Sequence, residues 1–288
     1  MALGGDLVTQ PVVVSGVGLH SGASVRVTLM PHPGPVILAS PDAEATLDDL
    51  TVASTARATT VESRDGRLRV GTVEHLFAAL AGLAVHSGLR MLIEGPEMPL
   101  LDGGARAWCE ALARLPLATG RPALRIAREA AYDIGPSRFE LSPGDRVEVA
   151  VHVDLGDPRL DAEARWTGEA EDFVQRIAPA RTFTLSRDVE ELVRRGLARH
   201  VDPACVVVLT PATVLHAGRP FAPDEPARHK LLDLMGDLYL HGGPPLGRFR
   251  AIRPGHASNA RAIRRALDEG VLVRGTSLSG GKSIPGAE

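Results

Sequence analysis

Residues 228–239 read RHKLLDLMGDLY and carry His229, Asp233 and Asp237 at intervals of four. In a helix that interval is about one turn, so the three side chains stack along nearly one stripe. Leu231, Leu232, Leu234, Met235 and Leu238 supply the apolar surface to bury around that stripe. Taken alone, His229 and Asp233 also suit a helix-surface ion pair, worth about 0.2–0.5 kcal/mol. The helix spans 224–242, and the elements around it follow from periodicity and breakers. After it, RFRAIRPG (248–255) reads as a strand and SNARAIRRALDEG (258–270) as a helix. Before it, ACVVVLTP (204–211) is a strand, and SRDVEELVRRGLA (186–198) a helix with Ser186 as N-cap. Further back, 123–134, 137–143 and 146–155 read as strands.

The first part of the chain has a similar order. VVVSGVGLHSGASVRVTLMP (12–31) gives a strand, a glycine-rich turn and a second strand alternating at Val25, Val27 and Leu29. TVEHLFAALAGL (72–83) is a helix with Thr72 as its expected N-cap, LRMLIEGP (89–96) a strand, and GARAWCEALARL (104–115) a helix closed by Pro116. PLATGRPAL (116–124) is rich in breakers and reads as a linker. The expected fold class is therefore α+β, a duplicated unit with an N-terminal domain at 1–120 and a C-terminal domain at 121–274. Residues 275–288 read as a disordered tail.

The 288 residues are 44% hydrophobic and 23% charged, an ordinary globular balance. Aromatics are 3% and the net charge is −3, which argues against nucleic acid as the partner. Cys109 and Cys205 form no CxxC pair and read as buried thiols of a reducing compartment. The N-terminal stretch lacks the charged and apolar regions of a signal peptide. No apolar run approaches the ~18 residues that span a bilayer. The expectation is a cytoplasmic monomer without an integral membrane segment. Arg261, Arg264 and Arg265 read as a solvated helix face that could also touch anionic lipid head groups in a transient surface contact.

A second motif sharpens the reading of the stripe. TVEH places Glu74 beside His75 in the first turn of a helix, diverging by ~100°. Together His75, His229 and Asp233 make two imidazoles and a carboxylate, the donor set of a catalytic zinc site with an open position. Glu74 then stands as general base. His256, expected on a loop just before a helix, is the candidate general acid, and Asp237 the group that orients it. Thr182, in the PARTF turn (179–183), offers a hydroxyl to an oxyanion. His20 and Asp102 read as turn residues.

The ordered series GVGLHSG (16–22), TVEHLFAALAGL (72–83), EMPLLDGGA (97–105), ARTF (180–183), HKLLDLMGDLYL (229–240) and GHASNARAIRRAL (255–267) resembles the UDP-3-O-acyl-N-acetylglucosamine deacetylases, the zinc amidases of lipid A biosynthesis. The resemblance runs from about residue 10 to 270. It implies two βααβ sandwich domains with the active site between their helical layers. It also implies Zn2+ held by His75, His229 and Asp233, with Glu74 as base, His256 as acid, Asp237 as its partner and Thr182 on the oxyanion. Lys230 would engage the polar, phosphate-bearing part of the substrate, and Phe183 would line the acyl passage. The series departs from the family pattern at 84–88, at 197–204, where Arg199, His200 and Asp202 stand, and at Ala260. Two other readings fit the same residues: a relative that deacylates another sugar nucleotide, and a non-catalytic nucleotide-sugar binder. The second would be expected to have lost Glu74, a ligand or His256.

Overall fold

The computed structural model describes residues 10–189 and 201–275. The expected tail beyond Gly275 and most of the helix expected at 186–198 lie outside those residues; the helix does begin at 186. The fold is α+β. A five-stranded sheet runs in the order Val12–Val17, Ser24–Pro35, Ser87–Glu94, Ile37–Ala39, Glu44–Thr46. A second sheet runs Ala130–Ile134, Ser137–His152, Leu246–Ile252, Leu124–Ile126, Leu272–Arg274, with Glu163–Trp166 also paired to Ser137–His152. Two small three-stranded sheets complete the set, Leu50–Ser54/Thr60–Ser63/Arg69–Val70 and Thr182–Leu185/Val206–Leu209/Val214–Leu215.

The repetition read from the sequence has a structural counterpart. In each half a helix, a strand and a helix follow one another: Glu74–Gly82, Ser87–Glu94 and Arg106–Leu112, then Glu225–Tyr239, Leu246–Ile252 and His256–Asp268. In each case the strand between the helices is the third position of its sheet. A strand with one face on the core buries every second side chain. Leu89, Met91 and Ile93, and Phe249 and Ala251, accordingly alternate as wholly buried residues.

Several boundaries differ from the sequence reading, each for a physical reason. The strands expected at 137–143 and 146–155 share one continuous extended span, Ser137–His152, yet they run as two arms that both pair with Leu246–Ile252. The partner numbers fall from Ile252 to Arg248 along Arg138–Ser142 and rise from Leu246 to Ile252 along Val147–His152, so the chain reverses at 143–146, where Pro143 and Gly144 stand. The run 123–134 splits instead into two strands at separate positions of the sheet. Thr72 is not the N-cap of its helix. The helix starts at Glu74 with Val73 at the cap position and no side-chain cap bond, while Thr72 takes φ 55° and gives its hydroxyl to Glu97.

The apolar interior is continuous from Val12 to Leu272. Its centre is the crossing of the Glu74–Gly82 and Glu225–Tyr239 helices. Every residue of the first helix is buried, which a run of Leu, Phe and Ala permits all round. Gly236 makes the close crossing sterically feasible, because a Cβ there would stand 2.1 Å from the Glu74 carbonyl oxygen. Tyr239, one helical turn further, stacks against His86 with ring centroids 5.6 Å apart and donates its hydroxyl to the Val85 carbonyl. The crossing therefore sets the stripe of the second helix directly against the first turn of the first.

Candidate metal and catalytic centre

At that crossing His75, His229 and Asp233 each offer one ligand atom, all within 4.8 Å of one another and all buried. His229 Nε2 lies 3.4 Å and His75 Nε2 4.0 Å from Asp233 Oδ1. Ligand atoms about 2.0–2.2 Å from one tetrahedral ion are roughly 3.4 Å apart, so the three groups fit a metal ion with small adjustments. The outer contacts fit as well. The Ala180 carbonyl accepts from His229 Nδ1 (3.0 Å), which leaves Nε2 with its lone pair facing the cluster. Lys230 Nζ donates to Asp233 Oδ2 (2.7 Å), which leaves Oδ1 turned to the histidines.

The electrostatics favour ligation too. Burial, with His229 beside it, lowers His75 to about 3, so its imidazole is neutral. Burial also lowers His229. Burial alone would raise Asp233, but Lys230 and the histidines outweigh it and hold the carboxylate ionised. Two neutral imidazoles and an ionised carboxylate are the protonation states a metal needs.

Glu74 and His256 border the cluster on one side. His256 Nε2 is 3.8 Å from Glu74 Oε1 and 3.9 Å from Asp233 Oδ2, while its Nδ1 faces Asp237 Oδ2 at 3.1 Å. Burial opposes charge on His256, but Asp237, Asp233 and Glu74 outweigh it and raise the imidazole to about 10. Burial raises Glu74 to about 7, helped by Asp233 and Asp237 and opposed by His256. A buried imidazolium thus faces a carboxylate poised near neutrality, the pairing expected of an acid and a base at one reaction centre. His256 is not on a loop: it is the first residue of the His256–Asp268 helix, whose cap position is Gly255.

Phe183 and Lys230 complete the rim. The Phe183 ring meets His229 edge-on at 6.2 Å, and Lys230 Nζ sits 5.4 Å over the same ring. Thr182 opens the strand Thr182–Leu185 two residues after Ala180, its backbone N–H donating to the Gly103 carbonyl (2.7 Å). Among the described residues its hydroxyl makes no hydrogen bond. Asp102 serves its turn: Oδ1 accepts from the Ala107 N–H at the start of the Arg106–Leu112 helix (3.3 Å).

Three supporting groups carry no signal that the sequence reading found. Glu97, 4% exposed, accepts from the backbone N–H of His20 (3.0 Å) and Ser21 (2.6 Å) and from the Thr72 hydroxyl (2.7 Å). It ties the GVGLHSG turn to the strained residue two before Glu74. Arg181, wholly buried, makes two parallel bonds to Glu225 (Nε–Oε1 2.8 Å, Nη2–Oε2 3.0 Å) and donates to the Ala217 carbonyl (2.9 Å). That pair fastens the 180–183 turn to the first turn of the His229 helix. Asn259 Nδ2 donates to Asp237 Oδ2 (2.8 Å). EMPLLDGGA and GHASNA contained Glu97 and Asn259 in view, but both residue types suit surface loops equally well.

Comparison with known proteins matches residues 6–268 to the family model described as UDP-3-O-acyl N-acetylglycosamine deacetylase. A protein of Myxococcus xanthus (strain DK1622) named UDP-3-O-acyl-N-acetylglucosamine deacetylase is 36% identical over 89% of this chain and 84% of its own length. Proteins of the same name from Shewanella loihica (34% identical, 91% of this chain, 89% of theirs) and Anaeromyxobacter sp. strain Fw109-5 (33% identical, 96% and 93%) are similar over the same extent.

Proposed function

The chain belongs to the UDP-3-O-acyl N-acetylglycosamine deacetylase family, and from that premise we propose that it hydrolyses the acetamide of UDP-3-O-acyl-N-acetylglucosamine to the free amine and acetate, in lipid A biosynthesis. The observation that supports this most is the convergence of His75, His229, Asp233, Glu74, His256 and Asp237 from both halves of the chain on one buried point. The metal would be zinc, held by His75, His229 and Asp233, since two imidazoles and a carboxylate are a zinc amidase donor set. When bound, the ion supplies Lewis-acid polarisation of the scissile carbonyl and lowers the pKa of water.

The chain's own groups supply the rest. Glu74 Oε1 takes a proton from the attacking water. The Thr182 hydroxyl donates to the oxyanion of the tetrahedral intermediate. His256 gives the proton on Nε2 to the departing glucosamine nitrogen, and Asp237 holds the opposite ring nitrogen and the imidazolium charge. Lys230 meets the phosphate-bearing part of the substrate, and Phe183 lines the path of the acyl chain.

In the same reading the halves are two βααβ sandwich domains, 1–120 and 121–274, with the site between their helical layers. The protein works as a cytoplasmic monomer that draws its acylated substrate from solution or from the membrane face. Among the described residues no helix is long and apolar enough to cross a membrane. Acetate release by the purified protein from UDP-3-O-acyl-N-acetylglucosamine, against a matched substrate without the acyl chain, tests the reading. Preference for the acylated substrate is the expected result. Release of acetate from neither would overturn it.

A further inference from the structure

Thr59 lies 15 residues before Glu74 and 178 before Asp237, yet it touches the catalytic groups on both sides of the site. It is 3% exposed and sits just before the strand Thr60–Ser63. Its backbone N–H donates to Glu74 Oε2 (3.0 Å), and its carbonyl accepts from the Val73 N–H (3.2 Å). Its hydroxyl donates to Asp237 Oδ1 (2.6 Å) and lies 3.1 Å from His256 Nδ1.

Proton accounting defines what these contacts do. A threonine hydroxyl has one hydrogen and two lone pairs. With the hydrogen given to Asp237, the oxygen can only accept, and the neighbour with a proton to give is His256 Nδ1. Asp237 Oδ2 is 3.1 Å from the same nitrogen and is itself held by Asn259 (2.8 Å). Nδ1–H is therefore shared between Asp237 and Thr59, which fixes the ring so that Nε2 faces Glu74 and Asp233. On the other side, Thr59 occupies Oε2 of Glu74 and leaves Oε1 as the oxygen turned to the reaction centre.

We infer that Thr59 is a positioning residue for both halves of the proton relay: its hydroxyl sets the His256–Asp237 pair and its backbone N–H selects which Glu74 oxygen acts as base. The inference rests on the deacetylase reading above for its kinetic consequence, but not for its geometric one. Groups that orient catalytic histidines and carboxylates are worth about 10–100-fold when removed. They act on the chemical step rather than on substrate binding.

The experiment compares Thr59→Val, which keeps the shape and removes the hydroxyl, with Thr59→Ser, which restores it. In the metal-loaded enzyme Thr59→Val should lower kcat about 10–100-fold, with KM and metal content close to those of the starting protein. Thr59→Ser should recover most of the loss. In parallel, 15N NMR of the His256 imidazole should show Nδ1 shifted in Thr59→Val and restored in Thr59→Ser. An unchanged kcat in Thr59→Val, a loss that Thr59→Ser fails to recover, or a loss carried by KM would each overturn the inference. If the starting protein releases no acetate, the deacetylase reading fails on its own, and the NMR comparison still decides the role of Thr59: an unmoved Nδ1 resonance overturns it.

Discussion

Glu74 and His229 lie within one cluster but should fail in different ways when removed. Glu74 Oε1 faces His256 Nε2 and is not one of the three grouped ligand atoms. Glu74→Ala is expected to keep its metal while kcat falls by about 10²–10⁴-fold, the usual range for loss of a general base. His229→Ala removes a ligand and should release the metal at concentrations where the starting protein holds it. Metal analysis after gel filtration checks both, and loss of metal from Glu74→Ala would make Glu74 a ligand instead. These residues were legible in the sequence because their chemistry needs particular types at particular spacings: HxxxD along a helix, and EH at a helix start. Thr59 was not legible. An isolated threonine in a turn has no signature, and a backbone N–H, its contact with Glu74, has no side-chain identity at all. Thr72 was misread because a threonine before an apolar run is the usual N-cap signal. Its partner, Glu97, lies 25 residues away, beyond any local pattern.

Two elements hold the site in register, and each makes a prediction. The helix Glu225–Tyr239 can press its backbone against Glu74 only at Gly236. Gly236→Ala would improve helix propensity by about 1 kcal/mol in isolation. In place it forces the helices apart and should destabilise the protein by about 1–3 kcal/mol. Urea unfolding reads the sign directly; a more stable variant would mean that the crossing has slack. The second element is the 180–183 turn, fastened by Arg181 to Glu225. Arg181→Met leaves the buried Glu225 carboxylate the backbone N–H of residue 181 (3.0 Å) but no guanidinium, and should cost about 3–5 kcal/mol at pH 7.

The pH dependence of that cost follows from the Glu225 shift. Burial raises Glu225, but the Arg181 bonds outweigh it and hold the group below its ordinary 4.5. A lowered folded value means that the stabilisation is complete above about 4.5 and is lost as pH falls through the lower folded value. In Arg181→Met the same carboxyl is raised by burial, so protonation removes its penalty. The stability gap between the two proteins should narrow as pH falls from the raised value in Arg181→Met, above about 4.5, to the lowered value in the starting protein. A gap that stayed constant would show that the pair contributes through packing and not through charge. The helix itself was legible from its leucines. Its tight crossing was not, because a glycine inside a helix reads only as a weak point until its neighbour is known.

Across the whole molecule, the site is made where two separately sequenced halves meet. His75 and Glu74 come from a helix of the first sheet's half, and His229, Asp233, Asp237 and His256 from helices of the second. The helix–strand–helix order of each half was legible from periodicity, and so was the α+β class. The small strands at 50–54, 60–63 and 69–70 were not, although they carry Thr59 to the site. Such short strands have too few alternating positions to separate from loop. The Arg261, Arg264 and Arg265 face is exposed, as expected of a solvated helix face. Arg264 pairs with Asp268 (3.2 Å) and Arg265 with Glu269 (2.8 Å), so much of its charge is neutralised along its own helix.

If this meeting point is a zinc-dependent amidase centre, removing and restoring the metal should switch the activity off and on. Protein stripped with a chelator is assayed for acetate release from UDP-3-O-acyl-N-acetylglucosamine before and after addition of about one equivalent of zinc, as three protein ligands to one ion require. Negligible release before addition, restored turnover after it, and one tightly bound ion per chain are the expected results. Full activity in the stripped protein, or zinc bound at His75, His229 and Asp233 with no acetate released, would contradict a zinc amidase centre.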